Sequence, residues 1–251
     1  MLPLPDLVTT RDTIAQLTDR LSEVYDESAH GDIADPGMLC RALTDVLNAV
    51  HQRTHVSGEP ELANDPSAES LGEPPLGELC DHGIDLLTSL AETAERLAMT
   101  DEARQIQALT LPLACCVGRV GGEIGHLAPV VNAAAEVANG MQDRSGLARL
   151  YGMLDEIANA VSPRIAESAA GSEDAEAWRA LLINRAIVAT RSHEPSLMQA
   201  AFDALIEHSP EDAPRFFNEG MGQMDALDYP AEVRLVMERY QRRFRNNRTL
   251  H

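Results

Sequence analysis

The chain has no lysine. Its 20 basic side chains are all arginine, set against 40 Asp and Glu, for a formal net charge of −20 and a pI near 4.6. Without a lysine amine there is no Schiff-base chemistry, no pyridoxal anchor and no phosphate-loop lysine. The acidic excess repels phosphate over most of the surface, which argues against nucleic acid or an anionic membrane as a partner of the whole chain. Arginine in place of lysine, with abundant alanine, also fits coding bias in a GC-rich prokaryotic genome.

Aromatic residues are scarce at 4%, so a core must rest on Leu, Val, Ile, Ala and Met. Small side chains of this kind let helices approach closely. Six of the nine aromatics (Phe202, Phe216, Phe217, Tyr229, Tyr240 and Phe244) fall in the last fifty residues, which predicts the densest packing there. The four cysteines, Cys40, Cys80, Cys115 and Cys116, form no CxxC and suggest neither a zinc site nor a disulfide framework. They read as buried reduced thiols. The N-terminus lacks the basic start and apolar stretch of a signal peptide, and no run approaches the roughly 18 apolar residues of a membrane span. The expectation is a soluble cytoplasmic protein with no membrane partner.

What is present is helical periodicity. Ile14, Leu17, Leu21 and Val24 make one stripe; Leu39, Leu43, Val46, Leu47 and Val50 make the next, entered by Asp35 as N-cap and Pro36. Leu79, Leu86, Leu87, Leu90 and Leu97 define a third helix, and Thr100-Asp-Glu caps a fourth through Leu113. The strongest pattern runs from Leu147 to Val161. Ser172, Pro195, the capping-box form Ser209-Pro-Glu-Asp212, and Pro230 mark the later starts. No segment alternates with period two for long. About ten helices imply an all-α fold of stacked antiparallel helical hairpins or an irregular helical bundle.

Residues 53–75 are rich in Pro, Gly, Ser and acids and nearly free of apolar anchors. This predicts an N-terminal helical pair over 1–55, a flexible acidic linker over 56–75 and a hairpin body over 76–251. Gly118-Arg-Val-Gly-Gly-Glu-Ile-Gly125 is a second break, read as a tight helix–helix turn; it matches neither GxGxxG nor the phosphate loop. The body pairs as 76–98 with 101–118, 126–139 with 144–161, 174–191 with 196–208, and 211–226 with 230–246, at the spacing of helical-hairpin solenoids. The third pair carries Trp178-x-x-Leu181, then Phe202 and Pro210, and so resembles a tetratricopeptide repeat. Trp178 to Phe202 is four residues longer than that repeat allows, and the other pairs lack the pattern. The resemblance implies a peptide-binding helical solenoid.

Candidate chemistry is thin. His51 and His55 have the i, i+4 spacing of a helical metal pair, but no acid sits between them. Cys80, His82 and Asp85 could supply ligands, and Glu123-Ile-Gly-His126 is a lone Glu-x-x-His where a di-iron bundle needs two. No nucleophile elbow supports a Ser-His-Asp triad. The expectation is no metal and no organic cofactor, with His51, His55, His82 and His126 the residues to suspect if a metal were found.

The C-terminal helix stands apart in charge. Arg234, Arg239, Arg242, Arg243, Arg245 and Arg248 lie in the last 18 residues, opposed there only by Glu238. The first five fall opposite the apolar stripe of Val233, Val236, Met237, Tyr240 and Phe244. This face is either a solvated strip complementing the helix C-terminus or a contact surface for a protein, another copy of the chain, or an acid. The composite expectation is a non-catalytic interaction or scaffold protein with a protein or peptide partner, basic if it meets the acidic body, and possible self-association. Two other readings are a helical enzyme or metal-dependent protein whose site is assembled from distant helices, and a nucleic-acid-associated regulator acting through the C-terminal arginines.

Overall fold

A computed structural model describes residues 6–27, 33–56 and 74–247. They are all-α. The helices are α1 (Leu7–Glu27), α2 (Pro36–Val56), α3 (Leu76–Arg96), α4 (Thr100–Ala108), α5 (Thr110–Arg119), α6 (Ala128–Gly140), α7 (Arg144–Ala160), α8 (Pro163–Ala166), α9 (Glu173–Ser192), α10 (Pro195–His208), α11 (Ala213–Leu227) and α12 (Ala231–Asn247). Of the linker expected over 56–75, residues 57–73 lie outside the described residues; Val56 ends α2, and Pro74 and Pro75 lead into α3.

Side-chain caps explain several helix starts. Asp35 accepts the Gly37 N–H at 2.8 Å, and Ser172 accepts that of Ala175 at 3.1 Å, as their positions predict. Asp6 and Asp143 do the same for α1 and α7, Asp143 taking the Gly146 N–H at 2.7 Å. These hydrogen bonds hold both carboxyls below the usual range: for Asp6 the Thr9 side chain contributes most, and for Asp143 the Gly146 amide does.

Three places differ from expectation, the first being Thr100, which lies inside α4 behind Met99 and makes no cap hydrogen bond. The helix foreseen over 101–118 is broken at Leu109 into α4 and α5. Pro112 has no N–H to offer Ala108, and its ring crowds that carbonyl, so a continuous helix is excluded. At the third, α11 begins at Ala213 rather than behind Ser209; Ser209 instead donates its hydroxyl to Asp212 at 2.6 Å.

The helices form successive pairs, α1/α2, α3/α4–α5, α6/α7, α9/α10 and α11/α12, and each pair packs mainly on the pairs before and after it. The pairing of α6 with α7 is slight; α7 lies instead along α5 and α9, and α6 along α9 and α4. The N-terminal pair docks through α2 on α3, so one contiguous core runs from Leu7 to Tyr240. Gly83 makes that docking possible: a Cβ there would lie 2.8 Å from Leu113 Cδ2 and 3.3 Å from Val46 Cγ1. At the far end Phe202, Phe217, Tyr240 and Phe244 form a ring cluster with centroids 5.1–5.6 Å apart.

Arginines clasp one element to another along the stack. Arg20 meets Glu102 across α1 and α4, Arg104 meets Glu136 across α4 and α6 at 2.8 Å, and Arg119 meets Glu156 across α5 and α7 at 2.8 Å. Arg185 on α9 reaches Asp155 and the Tyr151 hydroxyl on α7. Arg191 donates to the carbonyls of Ala138 and Met141 at 2.8 and 2.6 Å, closing the C-terminus of α6. A planar fork with five donors suits these two-acceptor contacts better than an ammonium would.

Candidate functional site

The glycine run between α5 and α6 is more than a turn. Gly121, at φ +81°, and Gly122 return their N–H groups to Gly118 and Val117 and close α5. The chain then extends: Ile124 donates to Ala160 O at 2.8 Å and accepts from Ser162 N at 3.0 Å, a single parallel bridge to the residue after α7. Asp81 on α3 fixes the far end by accepting the N–H groups of Gly125 and His126 at 2.9 and 2.8 Å. Side chains would not fit in this knot. A Cβ on Gly118 would sit 2.7 Å from Ala160 Cβ, and one on Gly125 2.4 Å from Asp81 Oδ2.

The C-termini of α5 and α7 therefore meet at Gly118 and Ala160, beneath an open depression of about 220 Å³ lined by Gly118, Gly121, Gly122, Glu123, Asn159 and Val161 among others. Whereas α5 is closed by its glycines, α7 ends in extended Val161 with no capping N–H among the described residues, and the bridge takes its Ala160 carbonyl. Glu123 is exposed and makes no hydrogen bond or ion pair among the described residues. Neighbouring cations are engaged elsewhere: Arg119 with Glu156, and Arg164 with Asp174 at 2.6 Å and the Gly125 carbonyl at 3.1 Å. Two helix C-termini and one carboxylate make the depression electronegative.

Beside it, His126 Nδ1 lies 2.5 Å from Asp85 Oδ1, both residues being exposed. The Glu-x-x-His does not form a metal site among the described residues: His126 is paired with Asp85, and Glu123 has no hydrogen bond or ion pair there. Cys80, His82 and Asp85 do not converge either: Cys80 is buried, His82 is exposed, and Asp85 is held by His126. Burial pushes the Cys80 and Cys115 thiols well up and that of Cys116 to about 11, so none is a ready thiolate. Among the described residues no group of three His, Cys, Asp or Glu is placed to hold a metal ion. His51 lies beside Leu7 and Val8 in a slight crevice, and the side chain of His55 is outside the described residues.

Of the four α12 arginines whose side chains are described, three are engaged within the chain. Arg234 meets Asp225 at 2.6 Å, Arg242 meets Glu238 at 3.0 Å, and Arg243 lies 3.6 Å from Asp203 with its guanidinium over the Tyr240 ring. Arg239 is exposed with no such partner among the described residues; the Arg245 side chain and Arg248 lie outside them. Next to Arg239, one turn earlier on α12, Leu235 is 59% exposed, and Leu227 at the end of α11 is 62% exposed. Sequence reasoning missed this pair because Leu235 lies off the buried stripe and reads as an isolated residue.

No helix among the described residues is long and apolar enough to cross a membrane. No family model, curated protein or solved structure matches the chain.

Proposed function

We propose that this chain is a non-catalytic interaction or scaffold protein of the bacterial cytoplasm, a tetratricopeptide-like stack of helical hairpins that holds a protein or peptide partner. The observation that carries the reading is the last hairpin. Leu227 and Leu235, on the α11/α12 pair, each expose more than half of their surface, where a solvent-facing helix position is ordinarily polar. Arg239, one turn from Leu235, adds the cation that interface cores favour beside apolar anchors. The engagement of Arg234, Arg242 and Arg243 with carboxylates of the same chain weighs against the nucleic-acid reading, since little of that charge is left for phosphate.

The test is site-specific photo-crosslinking in cells, because a lysine-free chain gives amine-directed reagents almost nothing to react with. A benzophenone amino acid at Leu235 should yield a discrete higher-mass adduct that Arg239→Glu diminishes, whereas the same group at exposed Asp101 should yield none. Absence of any adduct from Leu235, together with an unchanged monomer mass in light scattering, would sink the reading.

A further inference from the structure

We infer that the depression over the glycine run is a receptor for one cationic side chain, a guanidinium or ammonium presented by a basic segment of a partner protein. The inference rests on the interaction reading above and adds the chemistry of what is held. Its size is the first argument. About 220 Å³ falls below the roughly 300–1,000 Å³ of small-molecule and cofactor sites, but accommodates the end of a single long side chain.

Its charge is the second argument. Glu123 is one of the lining residues, is exposed and has no hydrogen bond or ion pair among the described residues, and α7 ends there without a capping N–H among them. Asn159 is a further polar lining residue, and the nearby Arg119 and Arg164 are tied to acids of their own. A planar guanidinium can donate to a carboxylate and to carbonyls at once. A hard divalent ion fits poorly, because calcium takes six to eight oxygens and a single carboxylate is on offer. The surrounding surface favours the same sign of ligand, since the chain as a whole carries −20.

The rigidity of the site is the third argument. The loop is fixed on two sides, by the Ile124 bridge and by Asp81, so its carbonyls are held in place before a ligand arrives.

The experiment titrates N-acetyl-arginine amide into the full chain and follows backbone amide resonances by nitrogen–proton correlation spectra. Saturable shifts centred on Gly121, Gly122 and Asn159 are expected, with Glu123→Gln weakening the apparent affinity by about fivefold, the upper end of what a solvent-accessible ion pair supplies. The uncharged isostere N-acetyl-citrulline amide should bind more weakly by a similar factor. Equal shifts from the citrulline compound, shifts that only track added sodium chloride, or tighter saturation of the same amides by calcium alone would each overturn the inference. Because Glu123 is exposed and unengaged, the variant should fold normally, and its spectrum reports that directly. The Leu235 crosslink does not involve this site, so a silent depression beside an intact crosslink would remove this inference alone.

Discussion

Arg179 on α9 and Asp212 before α11 form a two-pronged ion pair, Nε to Oδ2 and Nη2 to Oδ1, both at 2.7 Å. Asp212 also accepts the Ser209 hydroxyl, so a single carboxylate fixes the turn leading into the last hairpin and ties it to the previous one. The hydrogen bond from Arg179 is the largest influence holding the Asp212 carboxyl below its ordinary range.

Arg179→Met should therefore lower stability by about 1 kcal/mol, the scale of a partly exposed charge-assisted pair. An acid with a depressed folded pKa stabilises above its unfolded value of 3.8 and loses that contribution as pH falls through the folded value. The gap between wild type and variant in urea melts should be full at pH 6 and close below pH 3.8. A constant gap would show that the methylenes of Arg179 matter and its charge does not.

Two glycines should respond oppositely to the same change. Gly83→Ala forces a methyl against Leu113 at the α2–α3–α5 contact and should cost about 1–3 kcal/mol. Gly152 lies in mid-α7 with open space where a Cβ would go, so Gly152→Ala should stabilise by about 0.5–1 kcal/mol. Thermal melts of the pair decide whether close helix approach, rather than glycine content, sets stability.

His193 ends α9 in the left-handed region at φ 61° and lies against Tyr229, ring centroids 4.7 Å apart. Burial, then the charge of Arg144, lowers its pKa below 6.5, while Glu232 acts in the opposite sense. The unfolded chain then takes up the proton first, so this contribution is complete above about pH 6.5 and is lost as pH falls through the folded value. His193→Asn, which tolerates the same backbone, should show a shallower decline in stability from pH 7.5 to 5. Parallel curves for the two proteins would exclude His193 as a source of the slope.

Phe202 is fully buried and touches the rings of Phe216, Phe217 and Tyr240. Phe202→Ala should cost about 3–5 kcal/mol and loosen the last two pairs together. Hydrogen exchange should show lost protection in α10, α11 and α12 while α3 remains protected; uniform loss would mean that the stack unfolds as a single unit.

Local physics made much of the fold legible. The all-α class follows from 3/4 periodicity, and the starts at Asp35 and Ser172 follow from side chains that reach N–H groups only two or three residues away. The clustering of aromatics near the C-terminus likewise located the ring-lined core. Pro112 was equally visible, and its break between α4 and α5 is a local steric rule that the apolar stripe concealed.

Tertiary structure decided the rest. The sequence showed arginines without lysine, but Arg20 and Glu102 are 82 positions apart and Arg191 closes a helix 50 residues upstream. No local pattern encodes such partners, because each depends on how the hairpins stack. The α12 arginines illustrate the point: in a strip that looks free on a helical wheel, Arg234, Arg242 and Arg243 meet Asp225, Glu238 and Asp203, two of these acids on other helices. The glycine run was conspicuous from the start, yet its role depends on Asp81, Ile124 and Ala160 meeting there. Glycine permits close approach, and only the fold determines what approaches.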